Sequence, residues 1–113
     1  MLPKNRRIER KYFTSLLSHS KKYHSPHFLL FLASQDSKES QSKFSFSVSK
    51  KVAKRAIKRN LCRRRGYAVI LKHLKEIKPG FFLFFSFKKF PDTDFKNLET
   101  EILNLLRSTS VLI

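Results

Sequence analysis

Glycine, cysteine and acidic residues are all scarce in this chain of 113 residues. Two glycines leave no material for a Gly-rich phosphate loop or for RGG-type low complexity. A single cysteine, Cys62, excludes an internal disulfide and a cysteine-based zinc site, and it fits a reducing, cytoplasmic compartment. Long apolar runs are missing too. The longest is Phe81–Phe85, far short of the ~20 residues a membrane span requires. The N-terminal cations Lys4, Arg6 and Arg7 precede no apolar segment, so no secretory signal is expected. Eight acids face 25 Lys and Arg, for a net charge of +17. That imbalance points to a polyanionic partner.

The scarce acids also bear on catalysis. A protein nuclease needs clustered carboxylates for metal ions or a histidine pair for proton transfer. Glu9, Asp36, Glu39, Glu76, Asp92, Asp94, Glu99 and Glu101 are scattered along the chain, and helix capping accounts for Asp92 and Asp94. His19, His24, His27 and His73 show no HxxxH spacing and no cysteine partner. No catalytic residue and no metal ligand are therefore assigned. Against this stands an apolar content of 41% with twelve Phe. That is ample for one core, and the chain is read as a single domain, residues 1–113.

Apolar periodicity predicts the elements. Ile8, Tyr12, Phe13, Leu16 and Leu17 recur at helical spacing, predicting a first helix over Lys4–Leu17. Ser18–Pro26 reads as a polar link. His27–Ala33 is a strand apolar on both faces, and Gln35–Lys43 a mobile hairpin loop. Lys43–Ser49 alternates cleanly: Phe44, Phe46 and Val48 face a core, Ser45, Ser47 and Ser49 the other way. The pattern leaves two readings of that serine face open, a groove floor or a solvated surface. Ser49 is expected to cap the following helix. After Pro79-Gly80, Phe81–Phe87 is apolar on both faces and belongs at the sheet centre. Thr93 or Asp94 caps a last helix, Phe95–Arg107, followed by the apolar tail Val111-Leu112-Ile113, whose docking or association is left open. The order is α-β-β-α-β-α, an α/β (α+β) two-layer sandwich with a small mixed sheet and a strand–helix–strand crossover.

The densest signal lies between Ser47 and Tyr67. Lys50, Lys51, Lys54, Arg55, Lys58, Arg59, Arg63, Arg64 and Arg65 accumulate there with no Asp or Glu among them. Like charges packed so closely repel unless an anion relieves them. On a helical wheel Lys51, Lys54, Arg55, Lys58, Arg59 and Arg65 occupy one arc. Ala53, Ala56, Ile57, Leu61, Tyr67 and Ala68 occupy the other, with Asn60 and Arg64 expected at its rim. The basic arc reads as a face for RNA phosphates. Whether Gly66 kinks or interrupts the helix stays open at this level.

The same stretch resembles the signature of the bacterial ribonuclease P protein component. That family has a strand ending in an SKK-like turn and then a helix with an RNxxKR-type core. Here these are Ser49-Lys50-Lys51-Val52, then Arg55-Ala56, then Arg59-Asn60-Leu61-Cys62-Arg63-Arg64, with Arg for the usual Lys. Leu2-Pro3-Lys4, Ile8 and Phe13 resemble its N-terminal helix. Phe28–Leu32 and Phe44–Ser49 resemble its first strands, and Phe81–Phe87 its last. Where the family continues with an Arg-Glu pair, this chain has Arg65-Gly66-Tyr67-Ala68. The often-glycine position before the helix is Ala53 or is displaced by a one-residue length difference.

The resemblance implies a ribosomal S5 domain 2-like fold. It implies a subunit that binds the catalytic RNA and the 5′ leader of precursor tRNA, assisting endonucleolytic removal of the leader. The RNA subunit would supply the chemistry with Mg2+ held mainly by itself, and no other protein partner would be required. Arg55, Arg59, Asn60, Arg63 and Arg64 would contact the catalytic RNA, Lys50, Lys51, Lys54, Lys58 and Arg65 would neutralise phosphate, and Phe13, Leu17 and Phe31 would line the leader cleft. The alternative is a ribosomal-protein-like structural RNA binder. A DNA-binding helix module fits less well, for want of a dimer seam and base-reading side chains. The RNA-recognition motif's aromatic signature is missing.

Overall fold

The computed structural model describes residues 2–37 and 39–113; Lys38, within the segment expected to be a loop, lies outside them. Four strands, β1 (Lys21–His24), β2 (Phe28–Ser34), β3 (Lys43–Ser47) and β4 (Phe81–Phe87), form one sheet in the order β1-β2-β4-β3. Three α-helices, α1 (Phe13–His19), α2 (Ala56–Lys72) and α3 (Phe95–Ser108), complete it. β1–β2 and β2–β4 are antiparallel, while β3 and β4 run parallel, joined by α2 as the crossover. This is the expected mixed sheet with β4 at its centre, plus one strand.

The additional strand, β1, lies within the presumed polar link. It contributes one side chain to the core, Tyr23, and pairs with β2 as the sheet edge. Its pairing comes from the β2 backbone rather than from its own apolar pattern, so no periodicity announces it. Exposed Lys21 and Lys22 blunt that edge against further strand addition. The β1–β2 turn is tied to α3: Glu101 accepts from the Ser25 hydroxyl (2.5 Å), the His27 backbone N–H (2.7 Å) and pairs with His27 Nδ1 (2.7 Å). These hydrogen bonds outweigh the burial that opposes its charge and hold the Glu101 carboxyl below its ordinary pKa.

The first helix is also broken up. Lys4–Arg6 and Arg10–Tyr12 form short 3-10 turns, and only Phe13–His19 is α-helical. Between the turns the chain extends beside β3: Arg7 bridges Phe44, and the Ile8 N–H donates to the Phe44 carbonyl at 3.1 Å. A free strand edge offered these residues hydrogen bonds that a continuous helix would have forgone.

Alternation along the strands separates two apolar layers. Phe28, Leu30, Phe44, Phe46, Leu83, Phe85 and Phe87 form the main core with α2 and α3. On the reverse face α1 and the 3-10 turn before it lie over Phe31, Phe82 and Phe84, the rings of Tyr12 and Phe13 against those of Phe82 (4.9 Å) and Phe84 (5.0 Å). α3 begins as expected at Asp94, whose Oδ1 accepts from the Asn97 N–H at 2.8 Å, and buries Leu98, Ile102, Leu105 and Leu106. The tail docks: Val111 is buried, Leu112 bridges Ile77, and the Lys78 N–H donates to the Val111 carbonyl at 2.7 Å.

α2 runs through Gly66 without interruption. The glycine serves a close approach instead of a break. A Cβ there would stand 2.6 Å from two ring carbons of Phe46. No helix of the described residues is long and apolar enough to cross a membrane.

Candidate RNA interface

Ser49 does not cap α2. Its carbonyl accepts the Val52 and Ala53 N–H groups, both at 3.1 Å, closing a separate turn, and the helix begins seven residues later at Ala56, behind Arg55 in extended backbone. Lys50, Lys51, Lys54 and Arg55 therefore ride on that turn and are all exposed. Arg59, one turn into α2, reaches back with Nη1 to the carbonyls of Ala53 (2.9 Å) and Lys54 (2.6 Å). Its guanidinium thus braces the basic turn against the helix, a task that a wheel diagram cannot show.

The helix is also rotated from the expected orientation. Cys62, Gly66, Tyr67, Val69 and Ile70 face the sheet, whereas Ile57 is 70% exposed and Ala56 and Ala68 are exposed. Asn60 and Arg64 consequently stand on the open face and not at a buried rim. Arg63, half-buried, donates to the Asn60 side-chain oxygen. Pairing Phe46 with Gly66 and Tyr67 set this rotation. The wheel, dominated by Ile57 and Leu61, could not anticipate it. Cys62 is buried, which raises its thiol pKa despite nearby Arg65 and Arg63. A thiol so held is poorly reactive.

None of these basic side chains is ion-paired among the described residues. Four of the eight acids are paired elsewhere: Glu9 with Lys11 and Lys43, Glu76 with His73, Glu99 with Lys72 and His73, Glu101 with His27. The turn and the open face of α2 thus present one uncompensated cationic surface. Guanidinium groups suit it, because their planar forks bind phosphate oxygens in pairs.

On the reverse face of the sheet, Phe13 rests on Phe84, which stacks on Phe31 (5.5 Å, 26°). Phe31 is only 7% exposed, with Lys22 Nζ 5.8 Å above its ring, so it underpins the platform. Leu17 is 52% exposed. Ser45 pairs with Phe84 and Ser47 with Ser86, placing the half-buried serines of β3 beside the aromatics on this face. Next to α1 opens a groove of about 580 Å³, lined by Tyr12, His19, Gln35, Asp36, Lys43 and Phe82 among others. Sequence reasoning placed Tyr12 in the first helix and Phe82 in a strand but assigned neither to this groove.

The sequence profile of the family described as Ribonuclease P matches residues 2–110. The chain belongs to that family. Ribonuclease P protein components of Synechococcus elongatus and Microcystis aeruginosa are each 37% identical to it over 83 residues, covering 71% and 70% of this chain and 68% of each relative. Among solved structures, the RNase P protein from Thermotoga maritima superposes with a TM-score of 0.81 at 21% identity, over 90% of this chain and 96% of that one. The Staphylococcus aureus RNase P protein gives 0.83 at 15% identity, over 98% and 100%. At such identities the structures speak for the fold. Ribonuclease P proteins are RNA-binding components of a tRNA-processing ribonucleoprotein, which agrees with the uncompensated surface on the turn and α2.

Proposed function

We propose that this chain is the protein subunit of a ribonuclease P, working in the cytoplasm. It binds the catalytic RNA through the basic turn and α2, and holds the 5′ leader of precursor tRNA on the reverse face of the sheet. The observation that carries this is the cationic surface spanning Lys50–Arg65, free of ion pairs among the described residues. Lys50, Lys51, Lys54, Arg55, Lys58, Asn60, Arg63, Arg64 and Arg65 contact RNA; Arg59 does so while bracing the turn. Phe13 and Leu17, supported by Phe31, offer the leader an apolar platform on which a base stacks for about 1–3 kcal/mol with little sequence preference.

Mg2+ does not fit this chain's own side chains. No group of three His, Cys, Asp or Glu residues is arranged to hold a metal ion among the described residues. Glu99 and Glu101 are hydrogen-bonded within the fold. In this reading the ion belongs to the RNA subunit, and the protein's part is to bind, orient and screen phosphate charge.

The test is cleavage of precursor tRNA by a bacterial ribonuclease P RNA at low Mg2+, with and without the protein, beside the protein alone. Leader removal only when RNA and protein are combined is expected. Failure to rescue any bacterial ribonuclease P RNA, the cognate one included, would refute the subunit reading and leave a structural RNA binder of ribosomal type.

A further inference from the structure

Two cations outside the turn and helix are placed unusually. The Nε atoms of Arg6 and Arg7 are both buried, and among the described residues neither has a hydrogen-bond partner. Arginine seldom gives up water at Nε unless another group replaces it, because an unpaired buried donor is costly. Both residues are only half-buried as a whole, so part of each side chain remains at the surface. Among the described residues no carboxylate is paired with either.

Their place in the fold connects them to the basic helix. Arg7 bridges Phe44, and the Phe44 carbonyl accepts from the Ile8 N–H, so the N-terminal segment covers the outer edge of β3. Two residues on, the Phe46 N–H points to that same edge and donates to the Tyr67 hydroxyl of α2 at 3.2 Å. Arg63 and Arg64 precede Tyr67 by four and three residues and so share its flank of the helix. The β3 edge thus contacts both the Arg6-Arg7 segment and the Tyr67 side chain of α2, the helix that carries Arg63 and Arg64.

We infer that Arg6 and Arg7 form a phosphodiester clamp for the same folded RNA that α2 engages. This rests on the RNA-subunit reading above. A guanidinium whose Nε side is fixed by packing has little freedom and little water left to lose, so the part of it that stays at the surface is preorganised for a phosphate contact. Burial also lowers the Arg6 pKa from its ordinary value, in keeping with a dehydrated cation that lacks an internal counter-ion.

The experiment measures affinity of the full chain for a bacterial ribonuclease P RNA across a salt series. The proteins are wild type, Arg6→Gln/Arg7→Gln, Arg6→Lys/Arg7→Lys and Arg63→Gln/Arg64→Gln, with thermal unfolding recorded for each. A lost phosphate contact reduces the slope of log affinity against log salt by about one. The Gln pair is expected to lose about two in slope and to bind at least tenfold more weakly at physiological salt. The Lys pair, which keeps charge without the fork, should retain the slope and still bind several-fold more weakly. An unchanged slope in the Gln pair or, were the Gln pair unfolded, an unchanged affinity in the Lys pair overturns the clamp, while α2's role stands if the Arg63/Arg64 variant is impaired. A loss seen only with a single-stranded leader oligonucleotide would reassign the pair to the leader and overturn the inference. If wild type itself shows no salt-dependent binding, the subunit reading fails, and the clamp with it.

Discussion

Replacing Gly66 by alanine tests whether this glycine is present for space or for flexibility. On an exposed helix the change would stabilise by about 1 kcal/mol, because alanine is the better helix former. Here the new methyl would meet Phe46 at 2.6 Å from Cδ2 and Cε2 and 2.9 Å from Cγ. The ring has no ready retreat. Phe85 is stacked on it at 4.7 Å and 8°, Tyr67 meets it edge-on at 5.1 Å, and the Phe46 N–H is bonded to the Tyr67 hydroxyl. Overpacking of such a site costs about 1–3 kcal/mol, which set against the gain in propensity leaves an expected net loss of up to about 2 kcal/mol. For a domain of this size that lowers Tm by roughly 4–8 °C per kcal/mol. Urea and thermal denaturation of Gly66→Ala and of the exposed control Ala68→Gly measure it. The control should lose about 1 kcal/mol on propensity alone. Adding Phe46→Leu to Gly66→Ala should cost less than the sum of the two single changes, since the smaller side chain vacates the contact. A Gly66→Ala protein more stable than wild type would refute the close-approach account.

Arg59→Ala should cost about 1 kcal/mol of stability as well as RNA affinity, because the side chain closes the Ala53–Lys54 turn. Arg64→Ala, at an exposed residue with no ion pair among the described residues, should lower affinity alone; equal unfolding midpoints for the two variants would contradict this division. His73 joins α2 to α3, with Nε2 2.7 Å from Glu99 and Nδ1 2.5 Å from Glu76, and Lys72 Nζ lies 3.0 Å from Glu99. The hydrogen bond to Glu99, then that to Glu76, raises the His73 pKa above 6.5 against opposing burial; His73 and Lys72 together lower that of Glu99 below 4.5. The raised histidine contributes fully below about pH 6.5 and is lost as pH climbs through its folded value. The lowered carboxylate contributes above about pH 4.5 and is lost as pH falls through its own. The stability gap between wild type and His73→Gln should therefore be widest near pH 5–6 and narrow on the alkaline side, and a gap independent of pH in melting curves would argue against the clasp. Asp94→Ala removes the cap of α3 and should cost about 1 kcal/mol in denaturant unfolding, with Asp94→Asn nearly harmless.

Much of this molecule is legible in its residue order because the relevant forces are local. The near-continuous apolar run FFLFFSF marks a strand covered on both faces, and β4 lies between β2 and β3. Asp94 before an apolar period marks a helix start, because the cap is satisfied three residues away. The acid-free run Lys50–Arg65 marks a polyanion partner, since no nearby sequence offsets its repulsion. Other features arise only between segments distant in sequence. β1 exists because β2 offers its backbone, and the extended Arg7–Ile8 segment because β3 has an open edge. The rotation of α2, which turns Asn60 and Arg64 outward and Ile57 with them, follows from how Phe46 fits against Gly66 and Tyr67. Sequence alone determined where the charge is and which residues seek a core. The tertiary structure decided which way that charge faces, because a helix carrying apolar residues all around has no preferred side until a particular ring packs against it.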